Sequence, residues 1–130
     1  MLLLVGAVLA KGPAEKDMVR GEAGGCSTYV GQGERVYDPD EERVALVVGN
    51  AGYLAPGAAL TDPLADAETM AQTLWLLGFE VEHCQDLGHR ALGTAVKDFG
   101  NEIPESGVAL FYYSGHGIQF QDANWLVPVE

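Results

Sequence analysis

The chain has 130 residues, 48% of them hydrophobic, and a formal net charge of −12 at pH 7. That length and composition are typical of one globular domain with a modest hydrophobic core. Residues 44–130 contain 11 acidic side chains but only one arginine and one lysine, Arg90 and Lys97. The charge argues against nucleic acid as a partner, because phosphate binding needs clustered Lys and Arg. It favours a cationic ligand or peptide, or indicates no more than an acidic, soluble surface.

The two cysteines, Cys26 and Cys84, lie far apart in the sequence, and no C-x-x-C spacing occurs. We therefore expect neither a disulfide framework nor a zinc site. The two cysteines do not indicate whether the protein works in an oxidising or a reducing compartment.

Residues 1–10 form an apolar run that is too short for a transmembrane helix, which takes about 20 residues. The run has the length of a signal-peptide core and a tolerable cleavage site at Val8-Leu-Ala10, but no positive charge precedes it. A start codon inside a longer reading frame and a first strand of the domain are the alternatives, so the localisation is unknown. Residues 11–42 are polar and glycine-rich and predict a linker, in which residues 26–30 allow a short strand. The predicted domain therefore spans residues 43–130.

Residues 43–48 predict a first buried strand, which ends at Gly49-Asn50 and is followed by a glycine-rich loop over residues 49–57. The loop contains G-x-x-G but neither G-x-G-x-x-G nor G-K-[ST], so the evidence for a nucleotide site is weak. Asp62-Pro63 then predicts the start of a helix, because an Asp carboxylate caps free N–H groups and proline fits the first helical position.

The first helix carries one apolar stripe and a predicted Schellman ending, in which Gly78 ends the helix and Phe79 packs back on Leu74. The stripe consists of Leu64, Ala67, Met70, Ala71, Leu74 and Leu77. Residues 79–84 alternate and predict a second, more exposed strand. Residues 90–103 predict a second helix, residues 108–113 a third strand buried on both faces, and residues 118–127 a hairpin.

An alternation of strands and helices predicts a parallel sheet with right-handed crossovers. If the helices cover opposite faces, the strand order is second, first, third, and ligands bind between the carboxyl ends of the first and third strands. Asn50, Asp66 and residues 114–117 meet there. Glycines on both sides of His116 let the backbone turn and a bulky substrate approach. The simpler interpretations are a histidine in an ordinary glycine-rich turn, and for Asp66 a carboxylate favoured by the helix dipole.

A catalytic histidine needs a nucleophile within hydrogen-bond reach. Ser114 is near in sequence, but it has no G-x-S-x-G elbow. Cys84 ends the second strand, two strand spacings or roughly 10 Å from the third, and Cys26 is in the predicted linker. On these grounds the chain holds a base without its nucleophile.

Over residues 43–130 the sequence resembles the caspase-like cysteine peptidases, and among them it is most similar to bacterial caspase-like proteins and metacaspases. Each motif alone is weak, but five in this order and spacing are specific. The motifs are Val44-Ala-Leu-Val-Val-Gly-Asn50 followed by Tyr53, Leu60-Thr-Asp-Pro-Leu-Ala-Asp-Ala67, Leu77-Gly-Phe-Glu-Val81, Ala109-Leu-Phe-Tyr-Tyr-Ser-Gly-His-Gly117 and Asn124-Trp-Leu-Val-Pro-Val129.

The resemblance implies a flavodoxin-like three-layer α/β fold, mostly parallel, with helices on both faces and incomplete at its carboxyl end. It implies hydrolysis of peptide bonds by a Cys–His dyad, in which His116 is the histidine and the Gly117 amide helps to hold the oxyanion. Asp66 and Ser114 match the pocket for the substrate side chain before the cut, which would suit Arg or Lys.

No cofactor is implied by the residues, and calcium enters only by family analogy. Asp122 is the one position considered for a metal, and a turn explains it better.

Three departures from the family pattern stand out. Ala65 replaces a usual Asn, Glu130 replaces a usual Asp, and no nucleophilic cysteine follows a further strand. We therefore expect a fragment covering the front half of the catalytic domain, inactive alone, with a degenerate copy as the alternative. An unpaired apolar edge at residues 110–113 would then favour self-association. The competing functions are a non-catalytic caspase-like interaction domain and a small-molecule or nucleotide-binding module.

Overall fold

The computed structural model describes residues 24–36 and 40–130. The apolar run over residues 1–10 and its signal-peptide interpretation lie outside these residues. In the described part of the chain, neither helix has both the length and the apolar character needed to cross a bilayer.

Four strands of the described chain form a mostly parallel sheet, and two more form a separate hairpin. The sheet order is β1-β3-β2-β4, with β3 and β4 parallel to β2 and β1 antiparallel to β3. This confirms the predicted order of the second, first and third strands. The elements are β1 (Gly25–Thr28), β2 (Arg43–Gly49), α1 (Pro63–Leu76), β3 (Glu80–Gln85), α2 (His89–Glu102), β4 (Val108–Ser114), β5 (Gly117–Phe120) and β6 (Ala123–Leu126).

The two helices cover opposite faces of the sheet, because alternate residues of β2 point to opposite sides. Ala45 and Val47 pack in a cluster with α1, whereas Leu46 and Val48 pack in a cluster with Leu92 and Phe99 of α2 and its preceding loop residue, Leu87. β2 is therefore buried on both sides, as a central parallel strand should be.

Helix α1 begins at the predicted proline but without the predicted side-chain cap. Pro63 is at its first turn, but the Asp62 side chain makes no capping hydrogen bond, so the predicted cap is wrong. Asp62 has the helical dihedrals φ −92° and ψ −27°, whereas a capping residue is extended. Its carboxylate accepts a bond from the Thr61 hydroxyl instead, at 3.2 Å.

The Schellman ending of α1 is confirmed. Gly78 has φ 86°, a value that favours glycine. The Phe79 amide donates to the Leu74 carbonyl at 3.0 Å, and the Gly78 amide donates to the Trp75 carbonyl at 3.0 Å. Leu77 departs from the predicted apolar stripe, since it follows the last helical turn and is 45% exposed.

Residues 24–36, inside the predicted linker, lie against the sheet. β1 occupies part of the short strand allowed at residues 26–30, and Cys26 is the direct cross-strand partner of Cys84. The two form a disulfide, so the expectation that these cysteines would stay unpaired is wrong. Their separation of 58 residues gives no hint of this pairing, because the antiparallel register alone brings them together.

Strand β4 and the β5–β6 hairpin form the carboxyl-terminal part of the described chain. Gln121 and Asp122 form the two-residue turn between β5 and β6, with φ 50° and 60°, a conformation that Asp tolerates. Asp122 is thus a turn residue, in line with its simpler interpretation. β4 pairs with β2 on one side and, among the described strands, is the outer strand of the sheet.

Candidate active site

At the carboxyl ends of β2 and β4, where the sequence predicts the crevice, Asn50 holds three segments together by hydrogen bonds. Its amide donates to the Ser114 carbonyl at 2.8 Å. Its side-chain Oδ1 accepts from the Leu87 amide at 2.9 Å, and its Nδ2 donates to the Leu87 carbonyl at 3.3 Å. Because Asn50 is fully buried, these bonds satisfy polar groups that water does not reach. The side chain therefore fixes the floor of the crevice.

Asp66 and Ser114, the two predicted recognition residues, meet on one wall of this crevice. Asp66 is in the first turn of α1 and is half-buried, while Ser114 ends β4 and is fully buried. The Ser114 hydroxyl donates to Asp66 Oδ2 over a long 3.4 Å. Within residues 24–36 and 40–130 the Asp66 carboxylate forms no ion pair. Burial raises the pKa of the adjacent Tyr112, and the negative charge of Asp66 raises it further.

His116 lies two residues after β4 and is half-buried. Its Nε2 is 2.6 Å from the Ala58 carbonyl oxygen, and a carbonyl only accepts hydrogen bonds. We therefore assign the hydrogen to Nε2 in the neutral ring, which leaves the lone pair on Nδ1. The ring packs edge-on against Tyr53, with 4.4 Å between centroids and an interplanar angle of 62°.

Two tyrosine hydroxyls hold the backbone of His116. The Tyr53 hydroxyl accepts from the His116 amide at 2.7 Å, and it lies 2.9 Å from the Tyr113 hydroxyl. The Tyr113 hydroxyl lies 2.9 Å from the His116 carbonyl and 2.8 Å from the Val127 carbonyl. Burial is the main cause that raises the pKa of both tyrosines, so both stay neutral over the ordinary pH range.

The Gly117 amide is free of the hairpin ladder. Residue pairs of an antiparallel hairpin alternate between bonded and non-bonded. The Val127 amide donates to the His116 carbonyl at 3.0 Å, which makes that pair a bonded one. Gly117, whose partner is Leu126, belongs to the next, non-bonded pair. Its N–H therefore points away from β6.

Two residues that position the site were missed at the sequence level, Asp86 and Tyr53. Asp86 Oδ1 accepts from the Ala51 amide at 2.9 Å and the Gly52 amide at 2.8 Å, which holds the loop that carries Tyr53. One feature of the sequence could have indicated Asp86, which is an aspartate directly after a predicted strand. Aspartate tolerates the left-handed backbone conformation found there, with φ 51°. Tyr53 was part of a motif but had no assigned role.

The sulfurs lie elsewhere. Cys84 is on β3, two strands from β4 in the sheet order, and it is bonded to Cys26. These are the two cysteines of the 130-residue sequence. Within these residues, then, His116 and the adjacent Gly117 amide lie together without a free thiol.

Comparison with known proteins assigns the chain to a family. The model of the Caspase domain family matches residues 42–130. The human mucosa-associated lymphoid tissue lymphoma translocation protein 1 is 31% identical over 90 residues, which is 69% of this chain and 11% of that protein. Its mouse homologue gives the same values, so the chain spans about a tenth of the length of these relatives. The family match covers more than half of the sequence, and the chain belongs to the caspase family.

Proposed function

We propose that this domain supplies the histidine, the oxyanion amide and the specificity pocket of a cysteine endopeptidase that cuts after Arg or Lys. One observation carries the proposal. The strand end that presents His116 also presents Ser114, whose hydroxyl contacts the Asp66 carboxylate. The proposed reacting group, His116, thus lies two residues from Ser114, and Ser114 contacts the negatively charged group that would bind a basic side chain.

The proposed reaction proceeds through two covalent changes. A cysteine thiolate attacks the carbonyl carbon, the C–N bond breaks, and the His116 imidazolium gives its Nδ1 proton to the leaving amine. Water then attacks the thioester carbonyl and gives a proton to Nδ1, the C–S bond breaks, and the carboxylic acid product leaves as the cysteine returns to its thiolate form. The Ala58 carbonyl keeps the hydrogen on Nε2, so the ring presents Nδ1 to both steps. The Gly117 N–H would stabilise the oxyanion by about 3 kcal/mol, as such donors do.

The proposed preference for basic residues depends on Asp66. Its carboxylate is half-buried and forms no ion pair within the described chain, so a guanidinium or ammonium group would find a free acceptor. The net charge of −12 would also attract basic peptides.

The proposed sulfur comes from outside these 130 residues, because both cysteines are bonded to each other. The 130-residue chain should therefore not turn over peptides that end in Arg or Lys before a reporter group. Turnover that Cys84→Ala abolishes would overturn this assignment.

The decisive experiment uses a longer gene product that includes a nucleophilic cysteine. His116→Ala should lower kcat by at least about a thousandfold, as loss of a catalytic base does. Asp66→Ala should lower kcat/KM for Arg and Lys reporters and leave an uncharged reporter unaffected. Asp98→Ala, at an exposed position of α2, is the matched control for general charge. An unchanged ratio of basic to uncharged substrates in Asp66→Ala would remove Asp66 from the pocket.

A non-catalytic interaction domain is the second candidate, and the disulfide that occupies both cysteines favours it. It would use β4, the outer strand of the described sheet, to pair with a second copy of the chain. Sedimentation velocity over micromolar concentrations should then detect a dimer. A monomer throughout, together with peptidase activity in the longer product, would reject this candidate.

A further inference from the structure

The β1–β3 pair brings two sulfurs and a carboxylate to one spot, at the edge of the sheet far from His116. Cys26 lies directly opposite Cys84 in the register. Glu82 lies two residues before Cys84, and residues two apart on a strand share a face. The two Sγ atoms and one Glu82 carboxylate oxygen all lie within 4.8 Å of one another.

The carboxylate of this group has no other partner. In the described part of the chain Glu82 makes no hydrogen bond and no ion pair, although it is only half-exposed. It lines a cavity of about 600 Å³ under α2, whose wall also contains Cys26, Asp98, Glu102 and Glu130, with Arg90 as its one cation among the described residues. The cavity is therefore negatively charged and open to a cation and its water.

We propose that the reduced Cys26 and Cys84, together with Glu82, bind one zinc-like divalent cation, and that the disulfide is the oxidised, metal-free form of the same site. Two thiolates and a carboxylate are a donor set that zinc accepts, with water as the fourth ligand from the cavity. Thiolates disfavour calcium and magnesium, which take oxygen ligands.

The two forms interconvert by thiol–disulfide exchange. Two molecules of a small thiol break the S–S bond, becoming one small-molecule disulfide and leaving two cysteine thiols. The cation then binds both sulfurs and releases one proton from each thiol. Because only the reduced form has thiolate ligands, bound metal should in turn protect the pair from reoxidation. The site depends on β1–β3 pairing and not on the proposed peptidase activity.

The test uses Co²⁺ as the probe on the 130-residue chain, reduced with dithiothreitol and desalted without oxygen. The reduced chain should bind one equivalent with a sulfur-to-cobalt charge-transfer band in the near ultraviolet, and Zn²⁺ should displace it. The untreated disulfide form should show no band. Zn²⁺ should also raise the Tm of the reduced chain, because it binds the folded state.

Co²⁺ binding by single variants distinguishes the loss of a metal ligand from the loss of a negative charge. Cys84→Ser should abolish the band. Glu82→Gln should weaken Co²⁺ binding at least about tenfold, because the loss of a residue that only supports a ligand already has an effect of that size. Glu105→Gln removes a charge at an exposed position outside the cavity and should leave the affinity within about twofold. A reduced, folded chain that binds no Co²⁺, or equal binding by Glu82→Gln and the unaltered chain, would overturn the proposal. So would loss of the β-sheet circular dichroism on reduction, because the site requires the β1–β3 register.

Discussion

The two walls of the crevice are built in different ways. The histidine wall, formed by Tyr53, Ala58, Tyr113, His116 and Val127, is a closed set of short hydrogen bonds of 2.6 to 3.0 Å. In the carboxylate wall, formed by Asp66 and Ser114, the hydrogen bond between the two side chains is a long 3.4 Å. A closed network holds a reacting group in one geometry, whereas a weakly bonded carboxylate keeps its capacity for a ligand. The difference separates a positioned wall from a recognition wall, and it predicts that substitutions on the two walls act on different properties.

The largest effect on stability is expected from Tyr53→Phe. The substitution leaves the amide of half-buried His116 without its acceptor and breaks the bond between the two tyrosine hydroxyls, which should lower the free energy of unfolding by about 3 kcal/mol. Urea denaturation measures the change. Tyr112→Phe is the matched control, since its hydroxyl is outside the histidine wall, and should cost less than about 1 kcal/mol. Equal losses in the two variants would contradict the network.

Asp86→Ala should act on the same wall from a distance. It leaves the Ala51 and Gly52 amides unpaired and puts alanine at a φ of 51°, a backbone conformation that costs about 1 kcal/mol outside glycine and Asn or Asp. We expect a loss of about 2 kcal/mol in total. Asp86→Asn keeps an oxygen acceptor and tolerates the backbone, so it should lose less than half as much. A larger loss in Asp86→Asn than in Asp86→Ala would refute this role.

The sequence allowed the central part of the fold to be predicted because the evidence for it is local. The apolar runs of β2 and β4, the α1 stripe and the Gly78 ending are each contained within one strand or one helix and its end. The strand order then follows from the rules for parallel connections. Asp66, Ser114 and His116 could be brought to one crevice by the same argument, since each lies at the end of a predicted element.

The features that were missed depend on pairs that are distant in sequence. Tyr53 and Tyr113 are 60 residues apart, and nothing local to either indicates that their hydroxyls share a bond. The Cys26–Cys84 disulfide depends on an antiparallel strand added to the outer edge of β3, which alternation within β3 cannot reveal. The prediction that Asp62 caps α1 was wrong for a local reason. A capping residue was inferred from its type, but the chain enters α1 with Asp62 already in helical dihedrals.

Alkaline pH should weaken the histidine wall. Burial raises the pKa of Tyr53 and Tyr113 above the ordinary value of 10.0, so the unfolded chain releases these protons first. The stabilisation that the two protonated tyrosine hydroxyls contribute is fully present below about pH 10, and it falls as the pH rises further. Unfolding free energies measured between about pH 9 and 11 should therefore decline, and less steeply in Tyr113→Phe. An equal decline in the unaltered chain and in Tyr113→Phe would show that the Tyr113 hydroxyl does not cause the loss of stability.

The smallest effect on stability is expected on the carboxylate wall. Asp66→Asn loses the favourable position of a charge in the first turn of α1, which contributes less than about 1 kcal/mol, and it keeps an oxygen near the Ser114 hydroxyl. The same substitution should nevertheless abolish binding of a guanidinium probe such as agmatine, followed by amide chemical shifts near Ser114. Lys97→Gln, on α2, is a control that also changes one charge but should leave agmatine binding intact. If Asp66→Asn instead unfolded the chain as severely as Tyr53→Phe, the carboxylate would be a structural group. The two walls would then not differ in the way their hydrogen bonds indicate.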